Sequence, residues 1–276
     1  MGTDNGTGWE FHRRTHFDEI VANYDKARPE YPDALFADVF AYAGSGKKAL
    51  EIGAGTGKAT LPFLRAGYDV TAVEMGANMA AFLLERFKEY KHFSVINATF
   101  EDALLADDSY DLIYAASAFH WVDLEIGFPK VLRLLKKGGT FALFRYNSLP
   151  IDGDALYEEL EAVYDRHYRS YYTSSQRWRP RRSPAEFEAP AAMLSSYGFK
   201  DLRDHGFRDV AIRYYEVKMT YSADDYIALC DTMADNRALP EANKTALYTG
   251  AREAIERHGG RYREDNVFRL YIGRKE

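Results

Sequence analysis

The chain has 276 residues, of which 46% are hydrophobic and 15% aromatic, enough for a sizeable apolar core. Its formal net charge of −6 argues against a general binder of nucleic acid or of anionic membranes, because phosphate groups attract positively charged surfaces. The single cysteine, Cys230, excludes an internal disulfide. No apolar run approaches the roughly 20 residues of a membrane span, and the first sixteen residues are polar, so we expect a cytoplasmic protein.

Two helices are predicted ahead of the first strand. Residues 1–16 are expected to be flexible, and from Phe17 to Tyr24 the apolar residues follow helical spacing until Pro29 ends the element. A second helix is predicted from about Pro32 to Ala43. His12 and His16 have the spacing of metal ligands on a helix, but no third ligand lies nearby in the sequence, so no metal site is predicted.

Three glycines at alternate positions follow the first predicted strand, Lys48–Ile52. Gly53, Gly55 and Gly57 permit a sharp turn and let a ligand approach the main chain, where a Cβ atom would collide. The helix that follows directs free N–H groups and a positive dipole end toward the same place. This indicates a site for a nucleotide-like ligand at the carboxyl end of the strand. A dinucleotide fingerprint would need glycine at position 58, where the sequence has lysine.

Glu51 followed by Gly-x-Gly-x-Gly resembles motif I of the class I S-adenosylmethionine-dependent methyltransferases. The resemblance implies S-adenosyl-L-methionine as the cofactor and an attraction between Glu51 and its cationic methionyl end. It further implies that the amino-acid part of the cofactor is cradled by the loop residues Gly53, Ala54, Gly55, Thr56 and Gly57.

The second predicted strand, Asp69–Glu74, ends in an acid. An acid at this point can accept hydrogen bonds from both hydroxyls of a ribose, although a surface acid at a strand end is the alternative. The segment from Val73 to Met79 resembles the family's second motif, in which the residue after the acid packs on the adenine. The resemblance therefore implies cofactor contacts from Met75 and from Met79 in the helix that follows.

The third predicted strand, Phe93–Ala98, is followed by Thr99 and Phe100. Family members often carry an acid and a small residue at the aligned positions, where they bind the adenine amino group and ring nitrogen. Thr99 replaces the acid here. The resemblance still implies that Thr99 and Phe100 lie at the cofactor, with the Phe100 N–H group as a donor and with Glu101 or Asp102 as a substitute for the acid.

The fourth predicted strand, Tyr110–Ala116, leads into Phe119-His120-Trp121. This loop resembles the small-molecule, type 11-like branch of the family, and so does the run from Phe17 to Pro32, which covers the cofactor in that branch. The resemblance implies that Tyr24, Arg28 and Ala116 contact the cofactor and that Trp121 lies near the transferred methyl group. Two interpretations of His120 stay open: it orients the cofactor or packs on Trp121, or it serves as a proton acceptor or substrate ligand.

Alternating strands and helices over the first half predict a parallel, doubly wound sheet. The helices between the strands are expected at Ala59–Ala66, Asn78–Tyr90 and Leu124–Leu135, and the fifth strand at Thr140–Tyr146. In the second half, helices are predicted at Ala189–Tyr197, Ala223–Ala234 and Glu241–His258, and strands at Val210–Tyr221 and Val267–Arg274.

The fold prediction is an α/β, Rossmann-like sheet of seven mostly parallel strands, with helices on both faces, an antiparallel C-terminal hairpin strand and a helical insertion after strand five. Since no Pro/Ser-rich linker divides the chain, a single domain is expected over 1–276. Its predicted parts are a helical cover at 17–46, a cofactor-binding core at 47–148, an insertion or lid at 149–205 and closing elements at 206–276.

The insertion is dense in tyrosine and arginine, and it matches nothing in the family pattern between 151 and 200. It is either a solvated helix face followed by a mobile loop, or a lid whose arginines meet an anionic substrate and whose rings cover it. The second interpretation assigns substrate contacts to Tyr171, Tyr172, Trp178, Arg179 and Arg181.

The functional hypothesis is methyl transfer from S-adenosyl-L-methionine to a small-molecule acceptor, an anionic one under the lid interpretation, by in-line displacement. One alternative is a nicotinamide-dependent oxidoreductase on the same topology, against which Lys58 and the lack of a Tyr-x-x-x-Lys pair count. The other is a non-catalytic module that binds S-adenosylmethionine.

Overall fold

A computed structural model of the chain describes residues 17–149, 153–172 and 202–276. The strands are β1 Lys48–Ile52, β2 Asp69–Val73, β3 Phe93–Ile96, β4 Tyr110–Ala116, β5 Leu135–Ser148, β6 Phe207–Ser222 and β7 Arg261–Lys275. The α-helices of the described residues are α1 Val21–Ala27, α2 Asp33–Ala43, α3 Thr60–Arg65, α4 Ala77–Arg86, α5 Leu124–Leu134, α6 Ala155–Tyr164, α7 Ala223–Cys230, α8 Ala234–Arg237 and α9 Glu241–Arg257.

The strands form one seven-stranded sheet in the order β3-β2-β1-β4-β5-β7-β6. The first five strands are parallel, and β7 runs antiparallel to both β5 and β6. The predicted Rossmann-like, mostly parallel sheet with an antiparallel C-terminal hairpin is therefore confirmed. The order reverses between β1 and β4, and ligands of open α/β sheets bind in the crevice at such a point.

Apolar side chains of β4 point alternately to two core clusters, one on each face of the sheet. On one face the Tyr114 ring stacks on Phe63 of α3 with centroids 4.0 Å apart. On the other face Ile113 packs in the cluster that contains Phe119 and Phe128. A central strand buried on both sides needs an almost continuous apolar run, which is what residues 110–116 supply.

The β6–β7 hairpin extends beyond the carboxyl end of β5. The last residue of β5, Ser148, pairs with Asn266, whereas β7 continues to pair with β6 as far as Arg261 opposite Ser222. The overhanging part packs against α6, α7 and α9 through a separate apolar cluster that includes Tyr226 and Tyr262. These helices form a cap beside the carboxyl edge of the parallel strands.

Several element bounds differ from the prediction. Strand β5 begins at Leu135 rather than Thr140, because Leu135 already pairs with Tyr110 before a register shift. The single helix expected over Ala223–Ala234 ends at Cys230, where the Asn236 side chain donates to the Cys230 carbonyl at 3.1 Å. The predicted flexible start at 1–16 and the predicted helix Ala189–Tyr197 lie outside the described residues.

Candidate functional site

The glycine loop after β1 is built from three left-handed residues with different surroundings. A Cβ atom on Gly53 would lie 2.6 Å from the Ala118 Cβ, and one on Gly57 would lie 2.4 Å from the Phe87 ring. At Gly55, with φ +57°, the only neighbour within 4 Å among the described residues would be the Tyr24 ring, at 3.8 Å. Gly53 and Gly57 therefore serve close packing within the protein, while Gly55 faces open space below Tyr24.

Glu51 is fully buried at the end of β1, and its two oxygens differ. Its Oε2 atom accepts hydrogen bonds from the hydroxyls of Thr60 at 2.5 Å and Tyr114 at 3.0 Å. Within 17–149, 153–172 and 202–276, no group donates a hydrogen bond to its Oε1 atom, and the residue lines a cavity. Burial raises the pKa of the Glu51 carboxyl to about 8, against the lowering effect of these two hydrogen bonds. A cationic group in the cavity would satisfy Oε1 and stabilise the carboxylate.

The cavity beside Glu51, called here the glycine-loop cavity, opens to solvent, and its empty space of about 430 Å³ includes part of that solvent. The structure brings eight of the predicted cofactor residues into its lining: Tyr24, Arg28, Glu51, Gly53, Ala54, Gly55, Thr56 and Ala116. Residues distant in sequence but predicted to share one ligand thus surround one space.

Helix α1 closes this cavity on the side of the cap. The Arg28 guanidinium, at the end of α1, donates to the Tyr146 hydroxyl at 2.9 Å and to the Thr232 carbonyl at 2.7 Å. It also lies 5.2 Å from the centroid of the Tyr24 ring. Arg28 therefore connects α1, the end of β5 and the cap, and it holds Tyr24 over the glycine loop.

Glu74, just beyond the end of β2, binds the main chain on both sides of the crevice. Its Oε2 atom accepts from the Gly55 N–H at 2.8 Å, and its Oε1 atom accepts from the Gly76 N–H at 2.9 Å. Burial raises the pKa of the carboxyl, while these N–H groups lower it. Each oxygen retains acceptor capacity, so the predicted contact with ribose hydroxyls remains chemically available.

The residues predicted to contact adenine mostly contact other parts of the protein. Met79 is buried, with its N–H group bonded to the Asp18 carboxylate at 2.9 Å, and the side chain of Phe100 lies in the second core cluster. The Thr99 hydroxyl pairs with Asp102 at 2.7 Å. The carbonyl of Met75 accepts from the Asn97 amide at 3.0 Å. Their adenine contacts stay predictions.

A second, smaller cavity lies where β4 ends, and we call it the Arg145 cavity. Its lining includes His120, Arg145 and Tyr271, together with Ser117, which also lines the glycine-loop cavity. Burial lowers the pKa of the His120 imidazole well below its usual range, and the positive charges of Arg145 and Arg28 lower it further. His120 is therefore neutral and weakly basic.

Of the residues predicted to contact the substrate, those that the structure describes do not line these two cavities. The Trp121 ring contacts Phe17 edge-on with centroids 5.8 Å apart. Tyr172 donates to the Asp235 carbonyl at 2.7 Å, and Tyr171, half exposed, packs edge-on against it. Trp178, Arg179 and Arg181 lie outside the described residues.

Sequence reasoning missed several residues of the two cavities, among them Tyr31, Ser117, Arg145, Tyr146 and Tyr271. Tyr31 stood inside the N-terminal run that resembles the family and could have been included; its hydroxyl donates to the Ser117 hydroxyl at 2.8 Å. Arg145 and Tyr146 end the predicted fifth strand. Only the pairing of β5 with β7 brings Tyr271 near them.

Comparisons with known proteins agree with this geometry. Residues 50–143 match the family model for the type 11 methyltransferase domain. A methyltransferase of Mycobacterium bovis is 33% identical over 127 residues, 46% of this chain and 50% of that protein. A Saccharomyces cerevisiae protein provisionally described as an S-adenosylmethionine-dependent methyltransferase is 32% identical over 133 residues, 45% of each chain. The chain thus spans about half the length of the curated relatives that it matches.

Solved structures show the same fold. One, provisionally described as a type II methyltransferase from Anaeromyxobacter dehalogenans, has a TM-score of 0.60 at 22% identity, covering 90% of this chain and 97% of that one. Phosphoethanolamine N-methyltransferase 2 of Haemonchus contortus, in complex with S-adenosylhomocysteine, has a TM-score of 0.54 at 14% identity, covering 97% of this chain and 60% of that one.

Residues 50–143 carry a methyltransferase domain, and the fold of the chain is that of the class I S-adenosylmethionine-dependent methyltransferases, as the sequence predicts. S-adenosyl-L-methionine is the cofactor of this family. The site fits this ligand, because the unpartnered Oε1 of Glu51 suits its ammonium group and the space at Gly55 suits its close approach to the main chain.

Among the residues that the structure describes, no helix is long and apolar enough to cross a membrane.

Proposed function

We propose that this protein transfers the methyl group of S-adenosyl-L-methionine to a small-molecule acceptor by in-line displacement. The observation that carries the proposal is Glu51, a fully buried acid with an unpartnered oxygen on the glycine-loop cavity. A buried carboxylate is costly unless an opposite charge or hydrogen-bond donor meets it, and the cofactor's ammonium group supplies both.

The chain's own residues have three tasks in this proposal. Glu51 holds the ammonium group, and Gly55 admits the amino-acid part against the main chain. Glu74 accepts hydrogen bonds from the ribose hydroxyls. The hydrogen bonds that it accepts from the Gly55 and Gly76 N–H groups hold the two sides of the crevice in place. Tyr24, held in place by Arg28, excludes water from the space above Gly55.

When bound, the cofactor supplies a methyl group on a sulfonium, which has a neutral thioether as its leaving group. The protein therefore contributes mainly alignment and exclusion of water. His120, whose pKa is lowered, is a weak base, which favours an acceptor whose nucleophilic atom need not lose a proton before attack.

Calorimetric titration of the protein with S-adenosylmethionine, S-adenosylhomocysteine and NADH tests the cofactor part of the proposal. We expect binding of the first two and none of NADH. Incubation with isotopically labelled methyl donor and a metabolite extract then tests transfer. Binding of NADH alone would favour an oxidoreductase, and cofactor binding with no transfer to any metabolite would indicate a non-catalytic module.

A further inference from the structure

The Arg28 guanidinium, in the lining of the glycine-loop cavity, contacts only neutral groups in the described part of the chain. Its Nη1 atom donates to the Tyr146 hydroxyl and its Nη2 atom to the Thr232 carbonyl. A guanidinium has five N–H donors, so three remain. One of them is on the Nε atom, which is buried and has no partner among the described residues.

The charge of Arg28 is also not balanced by an acid in this lining. Burial lowers the pKa of Arg28, and the groups that chiefly raise it are three tyrosines, Tyr146, Tyr24 and Tyr31. Among the described residues the only acid that lines the cavity is Glu51, whose raised pKa favours the neutral form when no ligand is bound. A cation out of water is costly unless an opposite charge meets it, so the cavity favours an anion near Arg28.

Two hydroxyl groups of the same lining have a proton to donate. The Tyr146 oxygen accepts a hydrogen bond from Arg28, and the Ser117 oxygen accepts one from the Tyr31 hydroxyl at 2.8 Å. Neither hydroxyl donates to another group within 17–149, 153–172 and 202–276. Because a hydroxyl both accepts and donates, each O–H group is available to a ligand in the cavity.

Ser117 is held at the cavity by an unusual backbone conformation. Its φ of +55° lies in the left-handed region, which few residues other than glycine adopt. Its N–H group donates to the Phe144 carbonyl at 2.8 Å, which fixes the turn at the end of β4. Such conformations cost free energy and occur often at ligand sites, which supports a binding role for Ser117.

We propose that Arg28, Tyr146 and Ser117 form a carboxylate subsite of the glycine-loop cavity. The inference rests on the proposed function and names a chemical group that the site recognises. A carboxylate is an acceptor with two oxygens, and a guanidinium and two hydroxyls are donors that match it.

The carboxylate has two possible sources. The cofactor carries one on the same carbon as the ammonium group that Glu51 attracts, so Glu51 and Arg28 in one cavity match a zwitterion. The other source is a methyl acceptor that carries a carboxylate.

The first experiment compares S-adenosylmethionine with decarboxylated S-adenosylmethionine, which keeps the ammonium group, the sulfonium and the nucleoside. We expect the wild type to bind S-adenosylmethionine at least about tenfold more tightly by calorimetry, because charge-assisted hydrogen bonds to the carboxylate are lost in the analogue. Arg28→Gln should bind the two compounds equally. Arg28→Lys should keep part of the preference, since the charge remains without the planar fork.

The ratio of the two affinities separates recognition from structural damage. Arg28→Gln also loosens α1, which weakens both compounds alike and leaves the ratio unchanged. Arg86→Gln is the matched control, because it removes the ion pair with Asp25 and loosens α1 at another point; it should keep the wild-type ratio. Tyr146→Phe should lower the ratio by a smaller factor than Arg28→Gln. If Arg28→Gln does not fold, as thermal melting will show, Tyr146→Phe and Arg28→Lys decide the outcome.

Equal affinity of the wild type for the two compounds would assign the carboxylate to the acceptor, and a second experiment then decides. A phosphatase-treated metabolite extract is separated by anion exchange into retained and unretained fractions. Each fraction is incubated with the protein and saturating S-adenosylmethionine that carries a labelled methyl group. Label should enter the retained fraction alone, and Arg28→Gln should lower its incorporation by about tenfold or more at limiting extract.

A wild-type preference for S-adenosylmethionine that persists in full in Arg28→Gln would overturn the inference, because the carboxylate is then bound elsewhere. With no such preference, label from the unretained fraction or normal incorporation by Arg28→Gln would overturn it. Both outcomes leave the proposed function intact. A wild type that binds no S-adenosylmethionine overturns the proposed function and the subsite together. Binding with the expected ratio but no label in either fraction overturns methyl transfer alone.

Discussion

At the scale of single residues, Glu51 combines complete burial with one oxygen that has no hydrogen-bond partner in the described part of the protein. Thr60 and Tyr114 hold the other oxygen, so the side chain is already oriented before a ligand arrives. Ligand binding therefore does not have to order the Glu51 side chain. It does require the charged form of the carboxyl, which costs free energy because burial favours the protonated form.

Replacement of Glu51 by glutamine tests the charge alone. Glu51→Gln keeps the shape but removes the carboxylate, so we expect the affinity for S-adenosylmethionine to fall by about tenfold or more, since hydrogen bonds to charged groups contribute ~1.5–3 kcal/mol. Calorimetry measures the change. The matched control is Glu85→Gln on exposed α4 surface, which should bind normally. Equal affinity in Glu51→Gln and wild type would remove Glu51 from the cofactor site.

The same carboxyl predicts how stability depends on pH without cofactor. The folded pKa is raised from 4.5 to about 8, so the folded protein retains a proton that the unfolded chain releases. This stabilising contribution is fully present below pH 4.5 and is lost as pH rises through about 8. Each pKa unit corresponds to about 1.4 kcal/mol.

Urea unfolding from pH 5 to 9 should therefore show a steeper loss of unfolding free energy in the wild type than in Glu51→Gln, which has no group to titrate at this position. Parallel curves for the two proteins would contradict the raised pKa.

At the scale of elements, the glycines of the loop have different roles: Gly55 faces the space for a ligand, and Gly57 packs inside the fold. A methyl group on Gly55 would enter the space below Tyr24, so Gly55→Ala should weaken S-adenosylmethionine binding while lowering the melting temperature only slightly. A methyl group on Gly57 would overlap the Phe87 ring, so Gly57→Ala should lower the melting temperature more. Calorimetry and thermal melting of both variants check this, and identical profiles would show that the two glycines do not differ.

Helix α1 is the least securely packed element of the site, because none of its residues is buried. It is held by polar contacts, among them Asn23 to the Ala228 carbonyl at 3.1 Å, Arg28 to the Thr232 carbonyl, and an ion pair of Asp25 with Arg86 at 2.5 Å. Elements with few apolar contacts open at low free-energy cost, so α1 is the expected entry route to the glycine-loop cavity.

Limited trypsin digestion tests this role of α1. We expect Arg28→Gln to speed cleavage after the exposed Lys26, because the links to Tyr146 and Thr232 are lost, and saturating S-adenosylmethionine to slow it in the wild type. Arg133→Gln, on half-exposed α5 surface, should be digested like the wild type. Cleavage that is insensitive to both the substitution and the cofactor would show that α1 is not a moving cover.

The extent to which the sequence predicts this protein differs between its parts. The turn after β1 is a local signal, since Glu51 and the three glycines follow each other at alternate positions, and Glu51, Gly53 and Gly55 line the glycine-loop cavity. The partners of Gly57 and Met79 were not predictable, because Phe87 and Asp18 reach them only through packing of α4. Tyr271 comes to lie beside Arg145 through a ladder between strands far apart in sequence, for which no local pattern exists.

At the scale of the whole molecule, both cavities combine residues from inside and outside the stretch 50–143, which matches the methyltransferase family model. The glycine-loop cavity adds Tyr24 and Tyr146 to the glycine loop and Glu51. The Arg145 cavity adds Arg145 and Tyr271 to residues at the carboxyl end of β4.

Strand β5 joins the part of the chain that matches the family model to the part that lies beyond it. Substitutions beyond residue 143 can reshape both cavities, at Tyr146 in one and at Arg145 and Tyr271 in the other, without replacing Glu51 or the glycine loop. A single change at the end of β5 can therefore affect either cavity while the glycine loop keeps its sequence, and a fold kept in this way can carry different functions.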